Sequence, residues 1–378
     1  MLMSALQHLV NNAIDEIGMT PYTWRLFCLN GFGYAVDSQI LLVQSIIATY
    51  AVYEFQPSFH NGLTIAAYVG MLVGALFWGM SADIIGRKYA FNLSLLLSSI
   101  FCIVAGASPN WIVLGLFVCL ASFGSGGNLV LDTAVFLEYL PSNKQWLLTL
   151  MAAWWGLGQL IAGLFAWAFL PNYSCSGAPS ETGEPCNWNT NPGWRYVWFA
   201  NGALVFVMSV LRITVIRLRE TPKFLLGEGK DAETVEVLQY IANRHHRPCS
   251  LTLDQLTDCG VTGAHREEHA QTKWSPMEIW IHIRGLYATR KMALSTSLIW
   301  LSWLIIGLAY PLYNVFLPQY LATRGAQLGG LSAYEQWRNY AIANACGIPS
   351  PVLAGLMCKS GWFWGRRGEL ARERRGVR

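Results

Sequence analysis

The sequence predicts an all-α protein that crosses a membrane several times, and two observations carry that prediction. Only 13% of its 378 residues are charged and 53% are hydrophobic, whereas soluble domains carry about 25% charged residues. The charged residues are concentrated between long apolar blocks, as expected where lipid is the solvent around those blocks. This composition excludes a disordered chain, a secreted disulfide mini-domain and an ordinary cytosolic enzyme. The small net charge of +4 lies in the connecting loops and suggests no nucleic-acid surface.

Eight blocks are long enough to cross the bilayer, because about 20 apolar residues in a helix span the hydrocarbon core. Their predicted ranges are 26–49, 62–81, 89–107, 111–137, 147–170, 195–216, 292–317 and 339–358. They divide the chain into five parts. These are an N-terminal cytosolic segment (1–23), a six-helix N-terminal half (24–216), a cytosolic connector (217–291), a two-helix partial C-terminal half (292–360) and a basic tail (361–378). Within the connector, apolar residues at helical spacing predict an amphipathic helix from Asp231 to Arg244.

The loops predict the orientation. Lys and Arg concentrate after the second, fourth and sixth blocks, and three of the four alternate loops contain none, so both termini are expected in the cytosol. The outward loop 171–193 fits this orientation in two ways. Asn172 begins a glycosylation sequon, which is used only on the lumenal side, although such sequons also arise by chance. Cys175 and Cys186 could pair in an oxidising compartment.

The loop between the second and third blocks contains the most specific motif, formed by Gly79, Asp83, Gly86, Arg87 and Lys88. We expect Gly79 to permit close helix contact and Gly86 to permit a tight reversal. Asp83 lies near a helix C-terminus, where a negative charge is unfavourable, so Arg87 and Lys88 are its expected partners. A plain positively charged cytosolic loop would need neither the glycines nor the aspartate. The pattern resembles the signature loop of the major facilitator superfamily, where this cluster acts as a gate latch.

The resemblance covers roughly residues 20–360. The segment 218–223 is similar to a motif that follows the sixth helix of sugar porters, and 156–160 is similar to the polar stretch of their fifth helix. The run from Gly124 to Glu138 is similar to the fourth helix of the branch containing synaptic vesicle glycoproteins and organic-ion or niacin carriers. Glu138 lies close enough to the cytosol to be a gate or loop contact. The resemblance implies a major-facilitator-type helix bundle with a complete N-terminal half. Members of the family have twelve spans, so we expect that this chain is truncated after the eighth helix, as a shortened product or a defective gene model.

Two acidic residues inside predicted spans are functional candidates, because burying a charge in lipid is costly. Asp37 could take up a proton, and sugar porters carry an acidic residue in this part of their first helix; a structural contact with a polar neighbour is an equal alternative. Asp132 could bind a proton or a cationic substrate, or serve helix packing.

Further candidates for a cavity are neutral residues, namely Asn128, Gln159, Tyr310, Tyr313 and Asn314. Pro311 is expected to break the seventh span, and broken helices line cavities. Arg195 is expected to anchor the sixth span structurally.

The leading hypothesis is a secondary transporter of small organic solutes (an organic ion, a carboxylate or a sugar-like compound) that is coupled to protons and works by alternating access. No ATP-binding loop motif is present, so an ion gradient would supply the energy. The expected partners are the lipid bilayer, a solute and a coupling proton.

No cofactor or metal is expected. The four histidines at 245, 246, 265 and 269 match no metal-ligand spacing and are better explained as a solvated loop. A truncated, non-transporting membrane protein that acts as a sensor or interaction partner is the alternative to transport. A membrane-embedded enzyme ranks last, because the spans contain no histidine. The plasma membrane is the default location, and an internal organelle membrane remains an alternative.

Overall fold

A computed structural model describes residues 2–175, 177, 179, 183–216, 218–257, 284–327 and 332–359. In these residues all regular secondary structure is helical, and eight segments are long and apolar enough to cross a membrane. The predicted all-α class and the predicted number of spans are therefore confirmed.

The helices that build the N-terminal half follow one another closely in the chain. They are α2 (Pro21–Phe55), α3 (Gly62–Ile85), α4 (Arg87–Gly106), α5 (Trp111–Tyr139), the consecutive pair α6 (Trp146–Met151) and α7 (Ala153–Tyr173), and α8 (Gly193–Leu211). A π-helical turn, Arg212–Ile216, extends α8. Two of these helices begin at capping side chains, since Thr20 accepts a hydrogen bond from the Thr23 amide and Asn110 from the Val113 amide.

Glycines bring the spanning helices close together. A Cβ atom at Gly70 or Gly74 of α3 would overlap with backbone carbonyls of Cys119 or Phe123 in α5, and one at Gly126 would overlap with the carbonyl of Met71. Small residues allow membrane helices to approach at backbone distance. Gly79 behaves differently, because the nearest atom to a Cβ there is a Val130 methyl at 3.9 Å. Our expectation that Gly79 permits close helix contact is therefore wrong; the close contacts lie further along α3.

Four further helices lie at one end of the bundle, the end that the loop charges predict to face the cytosol. They are α1 (Leu2–Ile17), α9 (Pro222–Gly227), α10 (Asp231–Arg244) and α11 (Leu253–Thr257). The predicted amphipathic helix is present as α10, and Val235, Leu238 and Ile241 on its apolar face are buried. Helix α1 was not predicted. It packs its apolar face into the same cluster of buried side chains as α9 and α10.

Three helices follow the connector: α12 (Arg290–Gln327), α13 (Ala333–Cys346) and α14 (Pro349–Lys359). Helix α13 packs on α7, where Gly163 admits Ala341. The expectation that Pro311 breaks the seventh span is wrong, because α12 is a continuous α-helix through that position. Membrane helices tolerate proline where neighbouring groups or small local adjustments satisfy the freed carbonyl.

Candidate functional site

A buried ion pair joins Asp132 of α5 to Arg212 of the π-helical turn. Arg212 Nη2 donates to Asp132 Oδ1 at 2.8 Å, and both side chains are at most 1% exposed. The guanidinium also donates to the carbonyls of Phe91 (3.0 Å) and Leu29 (3.4 Å), and its central carbon lies 3.8 Å from the centre of the Phe91 ring. Further hydrogen bonds help a buried ion pair to offset the cost of desolvation. The two carbonyls supply such bonds to the Arg212 Nη atoms, whereas Arg212 Nε and Asp132 Oδ2 have no hydrogen-bond partner among the described residues. The pair thus ties together α2, α4 and α5.

Sequence analysis did not single out Arg212. It lies within the apolar block 195–216, so a charge inside a predicted span was the available signal. Arg212 also begins a π-helical turn, and such turns are common at functional sites.

Asp37 lies in the same buried network. Its side chain is fully buried, and Ser125 donates a hydrogen bond to Oδ1 at 2.9 Å. The Asn128 side chain lies close to the carboxylate, yet neither Asp37 Oδ2 nor Asn128 Nδ2 makes a hydrogen bond of good geometry in the described part of the chain. Asn128 Oδ1 accepts from Ser94 (2.7 Å) and from Arg212 (3.4 Å). The structure therefore brings together three of the predicted site residues, Asp37, Asn128 and Asp132.

Helix α2 can approach this network because Gly33 faces it. A Cβ atom at Gly33 would overlap with Asp132 Oδ2 and would lie 2.5 Å from Arg212 Nη2. Three residues before Gly33, Asn30 donates to the Asp132 carbonyl at 3.2 Å. One turn after Gly33, Asp37 joins the network. The spacing of these three residues places them on one face of α2.

The other predicted cavity residues lie on α7 and α12. Gln159 is half-buried on α7, next to Gly158, which packs against the backbone of Ala35. The side chains of Tyr310, Tyr313 and Asn314 lie outside the described residues. Among the described residues, no three His, Cys, Asp or Glu side chains converge as a metal site.

A second charged cluster lies where α3 and α5 end and α4 begins, at the predicted cytosolic side. Arg87 Nη1 bonds Glu138 Oε1 at 2.7 Å, and Arg87 Nη2 bonds the largely exposed Asp83 at 3.3 Å. Glu220 accepts from the backbone N–H groups of Arg87 and Lys88, each at 3.2 Å. The motif residue Arg87 thus has the expected partner Asp83 and a second one, Glu138. The Lys88 ammonium lies 5.6 Å from the Tyr89 ring centre rather than pairing with Asp83 in this structure.

Sequence analysis included Glu220 only within the segment 218–223, and the structure shows that its carboxylate packs against the turn at Gly86. Gly86 adopts φ +94°, and a Cβ atom there would lie 2.6 Å from Glu220 Oε1. Burial raises the pKa of the Glu220 carboxyl, and the N–H groups of Lys88 and Arg87 oppose that rise by favouring the charged form. The turn predicted at Gly86 therefore also binds the Glu220 carboxylate through its backbone N–H groups.

A third set of contacts holds the opposite ends of the helices, which are predicted to face outward. Arg195 forms a two-pronged ion pair with Glu54, with both N–O distances 2.7 Å, and its guanidinium carbon lies 3.9 Å from the centre of the Trp188 ring. This agrees with a structural role for Arg195. In the preceding loop, Cys175 and Cys186 are bonded, with Cα atoms 6.1 Å apart. Asn172 is exposed in the last turn of α7.

At the same end of the bundle, a hydrogen bond connects α13 to α2. Trp337 Nε1 of α13 donates to the hydroxyl of Tyr50 in α2 at 3.0 Å, and the Trp337 side chain is buried. Sequence analysis named neither residue, because aromatic residues near membrane boundaries are common.

The comparison with known families agrees with this architecture. A model described as Major Facilitator Superfamily matches residues 26–372. The chain belongs to the major facilitator superfamily. It is therefore a multi-pass membrane transporter protein by family and not an enzyme, and the resemblance stated from the sequence motifs is confirmed.

Individual relatives refine this placement. The chain is 41% identical over 373 residues to a protein named MFS siderochrome iron transporter 1 of Ceriporiopsis subvermispora, covering 97% of this chain and 70% of that one. It is 28% identical over 237 residues to synaptic vesicle glycoprotein 2C of Rattus norvegicus, covering 62% and 31% of the two chains. Its fold is similar to the xylose transporter XylE from E. coli in a partially occluded inward open conformation, with a TM-score of 0.62, 15% identity, and coverage of 90% and 74%.

Proposed function

We propose that this chain carries small organic solutes across its membrane by alternating access, driven by protons that bind at Asp37. The single observation that carries the proposal is the environment of the Asp37 carboxylate. It is fully buried, it receives one hydrogen bond of good geometry, from Ser125, and Arg212 forms its ion pair with Asp132 instead.

The cost of burying charge supports a proton at this position. An ionised carboxylate without a paired cation is expensive away from water, so it is neutralised by a proton or by a bound cation. Acidic side chains that face the interior of a membrane bundle commonly form proton pathways. A proton that enters from one side and leaves to the other as the helices rearrange would couple the gradient to solute movement.

Two contacts support a gating cycle. At the cytosolic side, Arg87 bonds Glu138 and Asp83 while Glu220 holds the backbone of the same turn. At the outer side, the hydrogen bond from Trp337 to Tyr50 joins the two halves. In the proposed cycle the outer contact is made when the site faces the cytosol and breaks when it faces outward.

The test is solute uptake into proteoliposomes with an imposed pH gradient. We would supply an organic cation, a monocarboxylate, a hexose and a ferric siderophore; the last is included because of the name of the 41% identical relative. The proposal predicts that at least one solute accumulates and that a protonophore abolishes accumulation. Asp37→Asn should lose accumulation and keep exchange of labelled for unlabelled solute. Asp254→Asn, an exposed cytosolic carboxylate on α11, is the matched control and should behave as wild type. Accumulation by Asp37→Asn at the wild-type level would refute the proton role.

The alternative is a non-transporting membrane protein that senses a solute or binds another membrane protein. It predicts saturable solute binding, or co-purification with a partner, without flux of any of the four solutes. We place the protein in the plasma membrane, and immunofluorescence against an organelle-membrane marker distinguishes this location from an internal membrane.

A further inference from the structure

Helix α1 is docked on the cytosolic face through an apolar stripe. Its buried side chains follow helical spacing and lie in one cluster with residues of α9 and α10; they are Leu6, Val10, Ala13, Ile14 and Ile17. Most of the stability of a short helix in a protein comes from packing of its apolar face, so the 16-residue α1 depends on this surface for its order. A change that weakens the docking would therefore release or unfold the N-terminal segment.

Two carboxylates at the end of α1 hold it in place. Asp15 Oδ1 accepts a hydrogen bond from the Ser142 amide at 2.6 Å. Glu16 Oε2 accepts two hydrogen bonds from Ser250, one from its amide at 2.9 Å and one from its hydroxyl at 2.7 Å. Negative charge is unfavourable at a helix C-terminus, so these carboxylates depend on the donors that meet them. Ser250 thus joins the connector to α1 through one acidic side chain.

Ser250 is also accessible and follows a basic stretch. The side chain is exposed, and so are the nearby arginines Arg244 and Arg247. Arg247 stands three residues before Ser250, and Pro248 and Cys249 lie between them. A serine on a cytosolic loop with an arginine three positions earlier suits protein kinases whose acidic clefts bind a basic residue before the acceptor.

We propose that Ser250 is a phosphorylation site whose modification releases α1 from the connector. In the reaction, the Ser250 hydroxyl oxygen attacks the γ-phosphorus of ATP bound to a serine kinase. The new oxygen–phosphorus bond forms as the bond to the bridging oxygen breaks, ADP leaves with that electron pair, and the hydroxyl proton passes to the base of the kinase.

The modification reverses the electrostatics of the contact. The phosphate brings a charge of about −1.5 to −2 and removes the hydroxyl donor, so a hydrogen bond to Glu16 becomes a repulsion between like charges. The apolar stripe of α1 remains unchanged, so the effect acts through Glu16 alone. If position 16 carries a positive charge instead, phosphorylation of Ser250 should therefore strengthen the docking of α1 and not weaken it.

The experiment uses the full chain in detergent, ATP and a kinase that requires arginine three residues before serine. Mass spectrometry locates the phosphate, and hydrogen exchange measures protection of residues 2–17. We expect phosphate on Ser250 and exchange in α1 that is about tenfold faster, the factor for one lost charge-assisted hydrogen bond. Ser250→Ala should take up no phosphate at this position, and kinase treatment should leave its α1 protection unchanged.

The Glu16→Lys variant separates this mechanism from general disruption. Without phosphate, its α1 should exchange faster than wild type, because an ammonium cannot accept the Ser250 hydrogen bonds. After phosphorylation, its exchange should become slower, because the introduced ammonium can pair with the phosphate. Failure of the kinase to modify Ser250, unchanged protection after complete modification, or faster exchange in modified Glu16→Lys would each overturn the proposal. None of these outcomes depends on solute transport.

Discussion

Asp132 and Arg212 form an ion pair 2.8 Å long inside the N-terminal half, with at most 1% of either side chain exposed. Removing one partner of a buried pair leaves an uncompensated charge and typically costs about 3–5 kcal/mol. We therefore expect Arg212→Met to lower the unfolding temperature of the purified protein by several degrees.

The control for this substitution is a surface pair. Arg219 and Glu236 are 3.4 Å apart, with their side chains 39% and 72% exposed, and pairs near the surface contribute about 0–1 kcal/mol. Arg219→Met should change the unfolding temperature little, and the double variant Arg212→Met with Asp132→Asn should recover part of the loss. Equal losses in the Arg212 and Arg219 variants would contradict our account of the buried pair.

Gly33 should be intolerant of even one methyl group. A Cβ atom there overlaps with the Asp132 carboxylate, and overpacking of this kind costs about 1–3 kcal/mol. Gly115 is the matched glycine, since its Cβ would meet only Leu63 Cδ2 at 4.0 Å. Thermal unfolding should show that Gly33→Ala is destabilised while Gly115→Ala is neutral or slightly more stable. The opposite ranking would mean that α2 does not approach the ion pair as described.

The outer hydrogen bond between Trp337 and Tyr50 should bias the protein toward its inward-facing state. Trp337→Phe and Tyr50→Phe each remove one partner and keep an aromatic ring, so each should raise the ratio of outward-facing to inward-facing protein about fivefold, for about 1 kcal/mol. The ratio is measured by electron-spin distances between labels on the outer ends of α2 and α13. Since both substitutions remove the same bond, the double variant should match either single one. Additive shifts would show that the two side chains act separately.

Docking of α1 should weaken in acid. Hydrogen bonds from the Ser250 amide and hydroxyl hold the pKa of Glu16 below its ordinary value of 4.5. A carboxyl whose pKa is lowered in the folded state stabilises that state above the ordinary pKa, and this stabilisation is lost as the pH falls through the lowered value. A spin label at the exposed position Gln7 should therefore keep constant mobility from pH 8 to pH 6 and become more mobile below about pH 4.5.

Glu16→Gln supplies the comparison for this titration. The amide cannot lose a charge in this range, so its label should show a smaller change in mobility between pH 6 and pH 4. Identical curves for the two proteins would show that Glu16 does not cause the transition.

Apolar block length and helical periodicity were sufficient to predict much of the fold. The eight spans and the helix from Asp231 to Arg244 follow from these patterns because lipid and a buried face impose them strongly. Helix α1 was missed because its apolar residues form a stripe at helical spacing and not a continuous apolar block, and only the docking surface shows what that stripe covers. Pro311 was misjudged because proline in a membrane helix does not necessarily end it.

The site was predicted in part. Asp37, Asn128 and Asp132 stand out as polar residues within spans, and the structure brings them together. Arg212 and Glu54 were missed because a charge near the end of an apolar block has the same pattern whether it faces solvent or an ion-pair partner. Whether Gly79 or Gly74 makes the close contact depends on how α3 is rotated about its axis relative to α5. A single sequence does not give that rotation.

The most direct test of the proton role is to observe the proton on Asp37. Infrared difference spectra recorded between acidic and alkaline pH detect the carbonyl stretch of a protonated carboxylic acid in a dry environment. Our account predicts such a band in the wild-type protein and in Asp254→Asn, and its loss in Asp37→Asn. A band of equal intensity in Asp37→Asn would contradict the assignment of the coupling proton to Asp37.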